Sequence, residues 1–273
     1  HHQPASNQLE ELIKIIILGI VEGITEFLPI SSTGHLIVFS HLLNSQMGRL
    51  GGTFEIFIQL GAVIAVFIFY FGEIRQQITT VHKDRNVQRL WMNIIIAAIP
   101  AAILGFLLRD FIKQTLFNPL VIAITLILGG MIFILIERHP HEEKSEQTMN
   151  DITIKQAGII GIFQAVALIP GVSRAGATII GGLLNGISRS VITQFSFFLA
   201  IPVLGGATIL DLIFSLDELQ GDDLIYLFIG AVVSGIVAWI AIRWLLSYIS
   251  KNSFMVFGYY RIIAGIIILI LFG

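Results

Sequence analysis

Apolar residues run through this chain in blocks too long for strands and too continuous for the surface helices of a soluble domain. Six of these blocks, 54–71, 91–108, 119–136, 195–214, 224–242 and 254–272, are long enough as helices to cross a hydrocarbon core of about 30 Å. Two further stretches are broken. Residues 9–28 carry Glu10, Glu11, Lys14, Glu22 and Glu26, stop at Pro29 and resume over 33–43; residues 154–169 stop at Pro170-Gly171 and resume over 176–184. Each half is too short or too polar to span comfortably. The pattern predicts re-entrant helix pairs, whose non-helical tips are tolerated at depth only where they are buried in protein or line a wet cavity. The expected fold is therefore an all-α polytopic membrane protein with six transmembrane helices and two re-entrant pairs.

The broken stretches resemble one another. A shift of 142 positions lays Gly19-Ile20-Val21-Glu22 on Gly161-Ile162-Phe163-Gln164, and Ile30-Ser31-Ser32-Thr33-Gly34 on Val172-Ser173-Arg174-Ala175-Gly176. At a shift of 141, Thr53-Phe54-Glu55-Ile56-Phe57 falls on Gln194-Phe195-Ser196-Phe197-Phe198. Each half is then a broken pair followed by three spans, repeat one over about 9–136 and repeat two over about 154–273. An odd number of spans inverts the second copy in the membrane, so the two polar tips are expected to meet near the midplane. Residues 1–8 have neither the basic nor the apolar region of a signal peptide and read as a tag or linker remnant, leaving 9–273 as one membrane domain.

Composition strengthens this reading: 55% of residues are hydrophobic and 12% charged, with a mean hydropathy of +0.88, outside the balance of soluble domains. Cysteine is absent, which excludes disulfides and thiolate metal sites, and a net charge of -2 argues against a nucleic-acid partner. Loop charge sets orientation. Arg75, Lys83, Arg85, Arg89, Arg138, Lys144, Lys155, Arg189, Arg243 and Lys251 collect on one side, against Lys14, Arg49, Arg109 and Lys113, while the loop 215–223 has four acids and no base. The side with ten is expected inside, with both termini outside.

The candidate chemistry sits at the tips. Glu22 and Glu26 are four apart, on one helix face, and an intramembrane acid faces a cation, a donor or water unless it lies at the interface and is simply hydrated. Together they could hold Mg2+ (or Ca2+) against a phosphate, because a hard ion takes a few carboxylate oxygens plus substrate oxygens and water. Ser31, Ser32 and Thr33 precede the second short helix, with Gly34 and His35 in its first turn. Helix capping needs one hydroxyl; several hydroxyls plus free N–H groups make an anion site. The second tip repeats the arrangement in Gly171, Ser173, Gly176 and Thr178, and Arg174 adds a planar cation suited to phosphate, or else an ion pair with Glu22 or Glu26. His35, alone, would read as a satisfied buried imidazole; beside hydroxyls and acids it reads as a general base or acid. Glu55 and Gln59, again four apart, read either as polar groups that support the site or, more simply, as interhelical hydrogen-bonding groups.

Glu22-x-x-x-Glu26 running into Pro29-x-Ser31-Ser32-Thr33-Gly34-His35, followed by Pro170-Gly171-Val172-Ser173-Arg174-Ala175-Gly176-Ala177-Thr178, resembles the undecaprenyl-diphosphate phosphatases of the bacitracin-resistance type. The resemblance implies a multi-pass enzyme of the bacterial inner membrane that converts undecaprenyl diphosphate, a polyprenyl diphosphate lipid, to the monophosphate carrier used in peptidoglycan synthesis. It implies Glu22 and Glu26 as acidic or metal-linked residues, Ser32 and His35 as catalytic, and Arg174 as a phosphate clamp, with a site open to the outer face. Where the family's second motif reads Ser-Arg-Ser-Gly, this chain has Ala175, so a hydroxyl is missing there and reduced activity is expected. An inverted-repeat transporter or flippase of a lipid phosphate would use the same anion site and is the alternative. A homo-oligomer is left open.

Overall fold

The computed structural model describes residues 5–44, 51–139, 146–215 and 223–273. These are helical almost throughout, and none forms a strand. The elements are α1 (Ala5–Thr25), α2 (Ser32–Leu42), α3 (Gly51–Phe69), α4 (Phe71–Thr80), α5 (Arg85–Leu107), α6 (Arg109–Phe111) with a π turn at Ile112–Leu116, and α7 (Pro119–Glu137). A 3-10 turn at Met149–Asp151 leads to α8 (Ile154–Val166), α9 (Arg174–Leu184), α10 (Arg189–Ser215), α11 (Asp223–Ile249) and α12 (Met255–Phe272). The helices α5, α7, α10, α11 and α12 are long and apolar enough to cross a membrane, and α3 with α4 makes a sixth candidate bent by 74°. This is a multi-pass membrane protein.

Two boundaries differ from expectation. The apolar block 54–71 ends as a helix at Phe69, because Tyr70 leaves helical geometry (φ -100°, ψ 22°). The next helix, α4, carries Glu73, Arg75, Gln76 and Gln77, residues that belong at a water interface rather than in hydrocarbon. At the start, α1 begins at Ala5, inside the segment expected to be a linker.

The helices pack α3 on α11, α7 on α12, α1 on α11 and α8 on α5. Hydrocarbon gives apolar helices little reason to associate, so close contact through small residues must hold them together. A Cβ on Gly61 of α3 would lie 2.1 Å from the Ala231 carbonyl oxygen of α11, and Gly130 of α7 and Gly258 of α12 meet backbone to backbone in the same way. The two broken pairs pack in a similar way. Gly19 of α1 lies against the Gly230 carbonyl of α11, and Gly161 of α8, which a shift of 142 positions sets on Gly19, lies against the Ala97 carbonyl of α5. The first limb of each broken pair thus packs on a spanning helix of the other half.

The loops expected to share a side do share one end of the bundle. Arg89 donates to the Asn150 carbonyl at 2.6 Å, Gln147 accepts from the Ser188 amide at 2.8 Å, and Glu137 accepts from Arg189 Nε and from the Phe254 amide, each at 3.0 Å. Arg49, Lys144 and the acidic loop between Ser215 and Asp223 lie outside the described residues.

The tips are built alike. Ser31 (φ 70°) and Ser173 (φ 76°) both adopt backbone conformations rare for residues with a side chain, and each caps the helix after it, accepting from Gly34 N at 3.4 Å and Gly176 N at 3.0 Å. Ser32 and Thr33 therefore belong to the first turn of α2 and do not precede it. Gly171 (φ 91°) has no room for a side chain, since a Cβ would meet Thr125 Oγ1 at 2.1 Å.

A residue hidden within an apolar block, Arg261, ties both tips to the α7–α12 pair. It lies in the middle of α12, only 1% exposed, and donates to the carbonyls of Pro29 (3.0 Å) in tip one and of Gly171 (3.1 Å) and Val172 (3.0 Å) in tip two. It also reaches Leu126 and Thr125 of α7, at 3.4 and 3.3 Å. Thr125 adds its own bond to the Pro170 carbonyl at 2.8 Å.

Thermal unfolding in detergent tests both kinds of contact. Gly61→Ala should cost about 1–3 kcal/mol by overpacking, whereas Gly72→Ala, where a Cβ meets nothing within 4 Å, should stay within about 0.5 kcal/mol; equal effects would refute the packing account. Arg261→Met strips several buried carbonyls of their donor and should destabilise by about 3 kcal/mol or more. Arg261→Lys should recover only part of that, because an ammonium cannot reproduce the guanidinium fork.

Candidate active site

Between the tips lies a cleft of about 150 Å³ whose polar lining includes Glu26, Ser32, Thr33, Gln59, Ser173 and Arg174. Glu26 sits just past the end of α1, its amide still bonded to the Glu22 carbonyl at 2.9 Å, and its carboxylate is the hub. Ser32, the first residue of α2, donates its hydroxyl to Glu26 Oε2 at 2.7 Å. Arg174, the first residue of α9, brings Nη2 to 3.4 Å from Oε1. The two residues at the starts of the two second limbs therefore meet on one carboxylate.

Arg174 is nearly buried. Its Nη1 donates to the Ser196 carbonyl at 2.8 Å and hydroxyl at 3.3 Å, and its guanidinium carbon lies 5.8 Å from the centre of the Phe27 ring. Its Nε, by contrast, has no acceptor among the described residues. The ion pair expected as the plain alternative is thus present, with a donor left over. Glu22, one turn before Glu26 on α1, is completely buried, and neither of its carboxylate oxygens meets a donor among the described residues. Among the described residues no three acids or imidazoles stand close enough together to hold a metal ion between them. The donor set that remains is two carboxylates, which suits a hard divalent ion only with substrate oxygens and water completing its shell.

Several expected residues have other employment. His35 is not turned to Ser32. Its Nδ1 lies 2.7 Å from the Ser31 carbonyl and its Nε2 lies 2.6 Å from the Tyr260 hydroxyl, and the ring lines a separate apolar groove with Leu28, Phe39 and Trp244. Spacing explains the miss: three residues from Ser32 on a helix predicts neighbours, but the ring turns back to the carbonyl four residues earlier. Thr178 is fully buried and its hydroxyl donates to the Arg174 carbonyl at 2.8 Å, so it steadies α9 from within and does not line the cleft. Ser31 uses its hydroxyl as a cap, and Gly34 and Gly176 supply the capped amides. Gly171 lines the cleft, but its carbonyl accepts from Arg261. Ala175 is fully buried, packed away from the cleft. Gln59, expected to be an ordinary interhelical group, does line the cleft; Ser196 appears in the sequence pattern only as part of the repeat match, and Tyr260 and Arg261 belong to no motif that the pattern marks. For Arg261 a signal existed, since a lone cation inside an apolar span marks a functional site by default.

The chain that carries this cleft is similar to other proteins along most of its length. The model of the family described as "Bacitracin resistance protein BacA" matches residues 15–267. The chain is 49% identical over 259 residues to a protein of Nitrosospira multiformis named undecaprenyl-diphosphatase, covering 95% of this chain and 94% of the relative. It is 45% identical to proteins of the same name from Albidiferax ferrireducens, over 94% of both chains, and from Acinetobacter baumannii, over 95% of both. With nearly the whole length matched at this identity, the chain belongs to the bacitracin resistance protein BacA family.

Proposed function

We propose that this protein is an undecaprenyl-diphosphatase, which removes the terminal phosphate of undecaprenyl diphosphate and returns the monophosphate lipid carrier to peptidoglycan synthesis, the activity behind bacitracin resistance. The observation that carries this reading is the Glu26 carboxylate, in contact with a hydroxyl nucleophile on one side and a phosphate-binding cation on the other. A nucleophile hydrogen-bonded to a base is the arrangement that activates a serine. The shared name of the relatives favours hydrolysis over transport of a lipid phosphate.

The diphosphate head enters the cleft between the tips while the isoprenoid tail stays in lipid. Ser32 Oγ attacks the terminal phosphorus as its proton passes to Glu26. The bond to the bridging oxygen breaks, and undecaprenyl phosphate leaves with the electron pair. Water then cleaves the phosphoserine, and Glu26 returns the proton to Ser32 as inorganic phosphate departs. Arg174, with its free Nε, holds the equatorial oxygens throughout, and positioning with charge stabilisation is most of what phosphoryl transfer requires. Mg2+ (or Ca2+) is the proposed cofactor, held by Glu22 and Glu26; the buried, unpartnered oxygens of Glu22 support this. When bound it supplies positive charge against the phosphoryl oxygens.

The proposed setting is the bacterial inner membrane, with the halves inverted and the cleft reached from the outer face. The interlocking of α1 with α11 and of α8 with α5 supports the inversion, and the loop charges support the orientation.

Phosphate release from undecaprenyl diphosphate by the detergent-solubilised protein tests this function. The wild type should turn over; Glu26→Gln and Arg174→Lys should each lose on the order of a hundred- to a thousand-fold in rate, as when one donor to a developing oxyanion is removed. Ala175→Ser, at a position packed away from the cleft, should change the rate less than tenfold, on the order of 1 kcal/mol. Tight lipid binding without release by the wild type would overturn the reading in favour of transport.

A further inference from the structure

We propose that Tyr260 and His35 are positioning residues, which hold the strained tip of the first broken pair so that Ser32 faces Glu26. The inference rests on Ser32 and Glu26 being the reacting pair. Ser31, immediately before Ser32, has φ 70° and ψ 100°. A residue with a side chain keeps such a conformation only where its surroundings impose it, and such strain collects at functional sites. The Ser31 carbonyl is therefore the group to be held, and His35 holds it at 2.7 Å. A carbonyl only accepts, so Nδ1 carries the proton. In the neutral ring Nε2 then accepts from the Tyr260 hydroxyl, 2.6 Å away. The chain of donors runs from Tyr260 O–H through the imidazole to the Ser31 carbonyl.

The second tip acts as an internal control. Ser173 has the same strain (φ 76°, ψ 120°) and the same cap, yet the residue matching His35 at the 142-residue shift is Ala177. There the tip is held by other means, three bonds to the carbonyls of Pro170, Gly171 and Val172 from Thr125 and Arg261. The first tip has one comparable bond, from Arg261 to Pro29. The His35–Tyr260 strap supplies what is missing. Both kinds of holder come from the α7–α12 pair, since Tyr260 and Arg261 are adjacent on α12 and each bonds to the first tip or to the residue that holds it.

The location fits positioning better than proton transfer. His35 and Tyr260 line an outward-facing groove of about 370 Å³, walled by Ile24, Leu28, Trp244 and Phe257. It shares no lining residue with the cleft that Ser32 lines. In apolar surroundings a hydrogen bond is stronger than in water, which suits a strap. Neither ring nitrogen is left to take a proton from Ser32.

The test compares His35→Ala, His35→Asn and Tyr260→Phe in phosphate release, with hydrogen exchange over the tip (residues 28–35) as a second readout. Asparagine carries an amide N–H close to the Nδ1 position and can donate to the Ser31 carbonyl, but it cannot shuttle a proton. His35→Ala should lose at least tenfold in kcat with KM within about twofold, and Tyr260→Phe about fivefold, in keeping with the loss of one or two hydrogen bonds. His35→Asn should recover most of the loss and keep both limbs of the wild-type pH profile. Tip amides should exchange faster in His35→Ala and Tyr260→Phe, and near the wild-type rate in His35→Asn. A folded His35→Asn as inactive as His35→Ala, or one lacking a limb of the pH profile, would overturn the proposal. So would unchanged tip exchange in His35→Ala, whether or not the wild type hydrolyses the lipid. Absence of release by the wild type, with tip exchange behaving as expected, would instead count against the phosphatase reading alone.

Discussion

The structure hangs on a permanent cation buried in a bundle that lies in hydrocarbon. A guanidinium there has a desolvation cost of several kcal/mol unless its donors are met, and Arg261 meets them with main-chain carbonyls from three places at once: the tip at Pro29, the tip at Gly171-Val172 and the helix α7. Those carbonyls have a matching need. Non-helical backbone at membrane depth cannot turn to water, so its oxygens require donors from protein. One side chain answers several such needs. It also fixes the distance between the two tips, on which any chemistry across them depends. Close approach of α7 and α12 at Gly130 and Gly258 keeps the arginine stem within reach.

Upon this frame the two tips are alike in build and differ in side chains. They share a strained serine, a cap and a helix that starts at the next residue. At that next residue one carries Ser32 and the other Arg174, and near the end of each first limb Glu26 corresponds to Leu168 and Glu22 to Gln164. Gln164 has a structural use, donating to the Ala97 carbonyl of α5 at 3.0 Å. Glu22, in the equivalent place, has no donor of its own among the described residues. Symmetry therefore supplies the geometry, and the departures from symmetry supply a hydroxyl, a cation and two acids.

Much of the frame was legible in the sequence, because burial in lipid writes itself as long apolar blocks and breaks in such blocks must be explained. The two tips and the meeting of Ser32, Glu26 and Arg174 were both within reach of that reasoning. Three things were not. The bend after Phe69 lies inside an apolar block, and the polar residues of α4 begin only at Glu73. Arg261 sits in a block whose average hydropathy it hardly changes, although a single charge at that depth is more informative than the average. His35 is placed by its neighbours along the chain, whereas its direction is set by the carbonyl of Ser31 behind it and by Tyr260, a partner 225 positions away. Local sequence cannot show which side of a tip is already occupied.

A site of this kind has to be stable empty, and the resting contacts show how that is arranged. Arg174 cannot stand unpaired at 9% side-chain exposure, so Glu26 neutralises it, but at 3.4 Å the contact is loose. The firmer bonds of the guanidinium go to Ser196 on the far side, which sets its orientation without using Nε. On the proposed reading, a phosphate that reaches the cleft has only this weak contact to displace. The shorter bond from Ser32 to Glu26 need not break for this to happen. On the proposed reading, the hydroxyl of Ser32 and the carboxylate of Glu26 are therefore already in contact before the anion arrives, and only the Arg174 contact has to rearrange.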